Sequence, residues 1–355
     1  MALTRRGRIV VSVAGALALV AVGGIALALT GHAPAVIQKA VDNVTGVDHA
    51  STPPPTCPLT GKPAPGGEVP RRPVLAVKVE NTPDAYPLAG LQSADVVYEE
   101  LVEGGITRFM ALYQCKEAKK VGPVRSARTT DPKVLIQYEP HPVIAYSGGQ
   151  LAVVNAVKRS GLVSFDEDSG GDAFWRDAAR YEPHNLFLNT AKLRAKSAKR
   201  TAGEGPPRRL FPFDPQAPTV GKRVSQVSMS FSSSVTAAWR WDKGAGRWQR
   251  MYQDAPMTLD SGTPITAANV IFQQVVVTEG NLVDVLGYHS PEVTLTGSGK
   301  AWILRNGMLI AGKWNRPVMG AVTKFVTKTG QVIPLSPGNT WIELVAKGTP
   351  PTVTK

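Results

Sequence analysis

The chain has 355 residues, 43% of them hydrophobic and 19% charged, with 34 Gly and 29 Pro. That size and turn-rich composition exclude a single small module, a coiled coil and a wholly disordered chain, and its one long apolar run excludes a polytopic membrane protein. Forty Lys and Arg against 27 Asp and Glu leave a net charge of +13, which favours anionic partners.

Arg5, Arg6 and Arg8 precede Ile9 to Leu29, twenty-one residues without a charge. At about 1.5 Å per residue such a run crosses the roughly 30 Å hydrocarbon core. The basic flank puts residues 1–8 in the cytoplasm and everything after Leu29 outside. The run is of anchor length, although Ala33 and Ala35 offer a small-x-small cut, and no Cys ends it as a lipid-attachment signal would require. The expectation is a single-pass cell-membrane protein with its bulk outside the cytoplasm. Residues 30–70, with Pro53 to Pro55, Pro63, Pro65 and Pro70, read as an extended stalk without a packed core.

Only Cys57 and Cys115 occur, both beyond the apolar run. An oxidising compartment favours pairing them, two buried thiols being the alternative, and the closed loop would contribute up to about 4 kcal/mol in the chain-entropy model.

From Arg71 onward, short apolar runs over Val74 to Val79, Asp95 to Val102 and Ile106 to Cys115 read as strands. The last is nearly continuous in apolarity and is placed at the centre of a sheet covered on both faces. Ala127 to Glu139 and Gln150 to Lys158 read as helices, the second with Leu151, Val154 and Val157 on its apolar face. The alternation predicts an α/β layered domain over 71–200. A basic, Pro-rich linker over 201–222 follows, the end of a positive run from Lys192 to Arg223 that reads as solvated or as a contact with anionic lipid or wall polymer.

Strand patterns then fill 223–347, before a tail at 348–355, and predict a mainly antiparallel β domain. Asn306-Gly307 marks a two-residue hairpin. Trp239, Trp241, Trp248, Trp302, Trp314 and Trp341 lie here, at spacing that suits core packing more than sugar stacking. Gly297-Ser-Gly-Lys300 lacks the first glycine of a phosphate loop and reads as a turn. This domain would support the first or dock an envelope protein.

The chemistry concentrates in the first domain. Asp95, Glu100, Glu103 and Arg108 crowd around Gly104-Gly105, and Gly122-Pro-Val-Arg-Ser-Ala-Arg128 adds Arg125, Ser126 and Arg128. Three guanidiniums at strand ends can converge at one sheet edge, where their forked donors suit a phosphate or carboxylate. The competing arrangement pairs Arg125 and Arg128 with Glu100 and Glu103 as a buried network. Ser147, Gly148 and Gly149 open the second helix with small residues, an anion cradle or an ordinary Ser cap. Asp95, Glu100 and Glu103 are candidate acids or ligands to a divalent cation such as Mg. His184 and Asn185 follow a proline turn, as His141 does another, and are candidate polar groups.

Cys57-Pro-Leu-Thr-Gly61, Val77-Lys-Val-Glu-Asn81, Val102-Glu-Gly-Gly-Ile-Thr-Arg108, Val121-Gly-Pro-Val-Arg-Ser-Ala-Arg128 and Pro183-His-Asn185 resemble the YerB-like family of bacterial envelope proteins. Lys300 to Gly307, Gly312 to Pro317 and Pro337 to Leu344 resemble its second domain. The resemblance implies an extracytoplasmic two-domain protein of a family without an assigned function, many of whose members look like lipoproteins; this sequence departs from them in its anchor. Ser93-Ala-Asp95, the Val-Arg-Ser-Ala-Arg strand end and Ala145 to Gly149 also resemble, in order, LytR-CpsA-Psr ligases, which transfer polymers from lipid pyrophosphate carriers. That likeness implies Asp95 as an acidic metal-side residue and Arg125 or Arg128 as a pyrophosphate clamp, but Thr129 stands where an acid is expected after the arginine. The chain thus reads as a membrane-anchored envelope protein binding an anionic wall polymer or lipid-linked phosphate, and not nucleic acid. A phosphotransferase and a structural scaffold are the alternatives.

Overall fold

The computed structural model describes residues 53–355, and the predicted anchor at Ile9 to Leu29 lies outside them. No helix among the described residues is long and apolar enough to cross a membrane. In the first half the strands are Leu75–Asn81 (β1), Val96–Leu101 (β2), Thr107–Tyr113 (β3), Val143–Ala145 (β4), Val163–Phe165 (β5), Phe174–Arg176 (β6) and Leu186–Leu188 (β7). Its helices are Thr130–Leu135 (α1), Leu151–Arg159 (α2), Glu167–Gly170 (α3) and Thr190–Ser197 (α4). The second half is all strand: Lys222–Arg223 (β8), Gln226–Ser230 (β9), Thr236–Asp242 (β10), Arg247–Tyr252 (β11), Ala255–Pro256 (β12), Thr266–Ala267 (β13), Asn269–Val283 (β14), His289–Thr294 (β15), Gly297–Arg305 (β16), Met308–Arg316 (β17), Lys324–Thr327 (β18), Thr340–Ala346 (β19) and Thr352–Thr354 (β20).

The mixed α/β first half and β second half follow the sequence pattern, but one sheet runs through both. Its order is β18-β17-β16-β14-β19-β2-β3-β1-β4-β5, with β15 and β8 attached beside β14 and β17. The joint is β19, which lies parallel to β14 on one side and to β2 on the other. β3 is buried along its whole length, as expected of a central strand.

The sheet has two apolar faces because strand side chains alternate. Leu75, Val77, Val79, Phe109, Phe272 and Trp341 pack against Val227, Met229, Trp239 and Trp248 of the second sheet, β12-β11-β10-β9-β20. The opposite face, with Ala76, Tyr98, Leu112 and Ile342, is covered by Val134 and Leu135 of α1, Val153 and Val157 of α2, and Phe211 and Phe325. The tryptophans at 239, 248 and 341 are thus core residues. In α2 the inward stripe is Val153 and Val157 with Val154 partly buried, whereas Leu151 is 75% exposed. At 3.6 residues per turn Leu151, two positions before Val153, falls on the opposite side of the helix from the buried stripe.

Two expected loops turn out to be packed. The stalk gives way to ordered chain well before Arg71: Leu59 is fully buried, and the Cys57 and Gly61 amides bond to the Lys62 and Cys57 carbonyls. Cys57 and Cys115 form a disulfide, with Cα atoms 6.1 Å apart, fastening this segment behind β3. In the linker, Leu210 and Phe211 are buried, and Arg208 donates to the Gln137 and Gly320 carbonyls. Asn306 and Gly307, with φ of 48° and 71°, close the β16–β17 hairpin where Arg305 pairs with Met308. A Cβ on Gly307 would lie 2.8 Å from the Trp241 indole nitrogen, so glycine is needed there for space as well as backbone. Gly297 to Lys300, expected as a turn, instead begins β16.

Candidate functional site

Strand alternation assembles a charged cluster at one end of the central strands. Lys78 and Glu80 of β1, Glu100 of β2 and Arg108 of β3 share the face that carries α1, and Arg108 stands opposite both Glu80 and Glu100 in register. β4 leaves β1 after Val77, and residues 123–125 take its place there. Val79 bridges to Val124, and the Arg125 amide donates to the Lys78 carbonyl at 3.0 Å. Ser147 and Gly148 flank the other side, the Ser147 amide donating to the Arg125 carbonyl and the Ala127 amide to the Gly148 carbonyl.

Deepest lies Lys78, fully buried, with its ammonium on Glu100 and 2.8 Å from Asp131 of α1. Burial pushes the Glu100 carboxyl up to about 7, opposed by Lys78 and reinforced by Asp131. Glu100 is therefore committed to a lysine that composition alone had not marked.

The three predicted arginines do come together, but they differ in how far they are neutralised. Arg128 is locked: its Nε and Nη2 both donate to Glu103, which also accepts from Ser290 of β15. These bonds hold Glu103 below the usual carboxylate range despite its burial. Arg125 is loosely held, its Nε 3.5 Å from Glu80 and its Nη1 donating to the Pro183 carbonyl at 3.3 Å. Glu80 is meanwhile taken by Thr82 at 3.1 Å and by His184 Nδ1 at 3.0 Å. Arg108 is 7% exposed, and its one bond among the described residues runs from Nη1 to the Ser126 carbonyl at 3.2 Å. Burial, then Arg128 and Arg125 beside it, pull its pKa down to about 9. The outcome lies between the two expected arrangements: Arg128 is locked on Glu103 as in the buried network, Arg125 leans on Glu80 and not on Glu100, and Arg108 has no carboxylate in ion-pair contact among the described residues.

The rim comes from both halves of the chain. Gly104 and Gly105 turn with φ of 67° and 73°, the Ser232 hydroxyl donates to the Gly105 carbonyl, and the Tyr288 ring faces Gly104. The half-buried Ser126 side chain has no hydrogen-bond partner among the described residues.

Other expected members lie elsewhere or have other tasks. Asp95 sits at the opposite end of β2, where its carboxylate accepts from the Gln114 and Cys115 amides at 2.7 and 3.1 Å. Burial raises it to about 6 against those bonds, and its position explains it as an anchor for the end of β3. With Asp95 removed, Glu100 on Lys78 and Glu103 on Arg128, the three acids do not form a cation site, and no other such cluster occurs among the described residues. Ser147 does not cap α2, whose cap position is Gln150, and its amide is spent on Arg125, so the cradle is reduced to Gly148 and Gly149. Asn185 accepts from Arg176, and His141 pairs with Glu204. Lys78, Glu80 and Asp131 are the members that sequence reading missed. The signal was two charges at alternate positions inside an apolar strand, which marks a polar patch on one sheet face.

A family model described as a protein of unknown function (DUF3048), N-terminal domain, matches residues 59–203, and that of its C-terminal domain matches 227–342. YerB of Bacillus subtilis, designated a candidate lipoprotein, is 30% identical over 297 residues, spanning 81% of this chain and 85% of that protein. The crystal structure of YerB superposes with a TM-score of 0.71 at 25% identity, over 84% of this chain and 99% of that one. The chain belongs to the YerB-like DUF3048 family.

Proposed function

We propose that this protein is a membrane-associated, extracytoplasmic envelope protein that binds an anionic wall polymer or lipid-linked phosphate at the Arg108 mouth. The basic, apolar N-terminus, the disulfide and the lipoprotein designation of YerB support the location. One observation carries the binding site: a guanidinium more than nine-tenths buried, with no carboxylate in contact with it among the described residues, where two further guanidiniums and burial outweigh the more distant Glu103 and Glu80. Burying a charge costs several kcal/mol unless it is compensated, and neighbouring like charges add to that cost. A phosphate or carboxylate entering between Arg108 and Arg125 would supply the missing compensation, with the Ser126 hydroxyl as a further donor.

The arrangement favours binding over transfer, because Asp95 is distant from the arginines and Glu100 and Glu103 are held by cations. The test is thermal unfolding of the full chain with pyrophosphate in the presence of a chelator. Wild type should be stabilised, by about 2.7 kcal/mol once ligand reaches a hundred times Kd. Arg108→Gln should lose that response while unfolding no earlier than wild type without ligand, since it removes an uncompensated buried cation. A scaffold without a ligand site would show no pyrophosphate response in wild type, and an Arg108 with a purely structural role would be destabilised by the change.

A further inference from the structure

A second feature lies on the large sheet, beside β14, β16, β17 and the chain that follows β19. A cleft of about 510 Å³ opens there, with Gln274, Lys300, Trp302, Lys313 and Lys347 in its lining. Alternation along β14, β16, β17 and β19 puts these five on one face, continuing the rows of Phe272, Leu304 and Val345 beyond the core. Lys300 and Lys313 are cross-strand partners on one side of β14, and Lys347 stands on the other. No Asp or Glu lines the cleft, and none of these lysines is ion-paired among the described residues.

The apolar surface beside these cations is fixed in place. Trp302 is half-buried, packed on the core by one side and bordering the cleft by another. Behind it the Trp314 indole donates to the Gln274 carbonyl at 2.6 Å, and a Cβ on Gly299 would strike that indole. The Gln274 side chain donates to the Thr349 carbonyl, holding Pro350 and Pro351 as the facing wall. Flat apolar surfaces match the C–H faces of a sugar ring, and mobile ammonium groups tolerate anions in varied positions around it.

We propose that this cleft binds an anionic saccharide, with a ring against Trp302 and its carboxylate or phosphate groups among Lys300, Lys313 and Lys347. Three unpaired cations around one cavity repel each other until a polyanion enters, and the indole makes the ring, not the charge alone, the recognised unit. The site is separate from the arginine mouth. It gives a use to the glycine-rich start of β16.

The experiment is tryptophan fluorescence of the full chain at 0.15 M salt, titrated with hexagalacturonate, maltohexaose and inorganic phosphate. Hexagalacturonate should bind saturably and at least tenfold more tightly than either of the others. The double substitution Lys300→Gln/Lys313→Gln, at exposed positions, should weaken it at least tenfold. The same variant should unfold no earlier than wild type and keep its response to pyrophosphate, which reads the arginine mouth. Absence of saturable binding, equal affinity for maltohexaose or phosphate, or an unchanged affinity in the double variant would each overturn the proposal.

Discussion

Arg250→Met is expected to lower the unfolding free energy by about 3–5 kcal/mol, the cost of leaving a buried ionised group without its partner. Arg250 is buried between Glu99, at 2.8 Å, and Glu343, at 3.3 Å. The two acids are directly opposed on β2 and β19. Burial, then the proximity of Glu99, push Glu343 well above the usual carboxyl range, opposed by Arg250. Trp239 donates to Glu343 at 2.8 Å, while Asn81 and Thr107 donate to Glu99. The cluster thereby ties β2 of the first half, β19 of the second and the smaller sheet to one another. Urea unfolding at pH 7 measures the loss. Adding Glu99→Gln to Arg250→Met should recover part of it, because one of the two opposed carboxyl groups is removed. A loss under about 1 kcal/mol would mean that the arginine does not compensate these acids.

Lys78→Met is expected to cost a comparable amount at pH 8, about 3–5 kcal/mol, and clearly less at pH 5. Without the ammonium, Glu100 and Asp131 face each other in a dry site and both must be neutral, which low pH favours. The wild type carries a related signature. Glu100 titrates near 7 when folded and near 4.5 when unfolded, so the folded state holds the extra proton between those values. Its contribution is fully present below about pH 4.5 and is lost as pH rises through about 7. Glu100→Gln should flatten that part of the stability profile. Equal losses for Lys78→Met at pH 5 and pH 8 would contradict the assignment.

Much of this was readable from local pattern. The apolar runs gave β1 to β3, Asn306-Gly307 gave its hairpin, and two cysteines in an exported chain gave their bridge. These features depend on alternation, turn chemistry and counting, all of which are local. The place of β19 was not readable, because its partners β14 and β2 are about 70 and 240 residues away in sequence and nothing in its own residues selects them. That strand is also what brings Glu343 against Glu99. Asp95 was misread for a similar reason: an acid before a strand looks like a ligand until the pairing of β2 with β3 shows two amides just past the end of β3 on it. Arg108, Arg125 and Arg128 were found as a group, since residue type and turn position sufficed. The other partners of their carboxylates were not readable, because Ser290 on Glu103 and His184 on Glu80 are each far away in the chain.

Whether Arg108 takes an external anion, as proposed above, is decided at its guanidinium. Crystals of the full chain soaked in selenate and measured at the selenium absorption edge address it directly. An anomalous peak within hydrogen-bonding reach of the Arg108 guanidinium, about 2.7–3.2 Å, and absent from Arg108→Gln crystals, is the result predicted here. An Arg108 found resting on Glu80 or Glu100, with no peak beside it, would contradict the account.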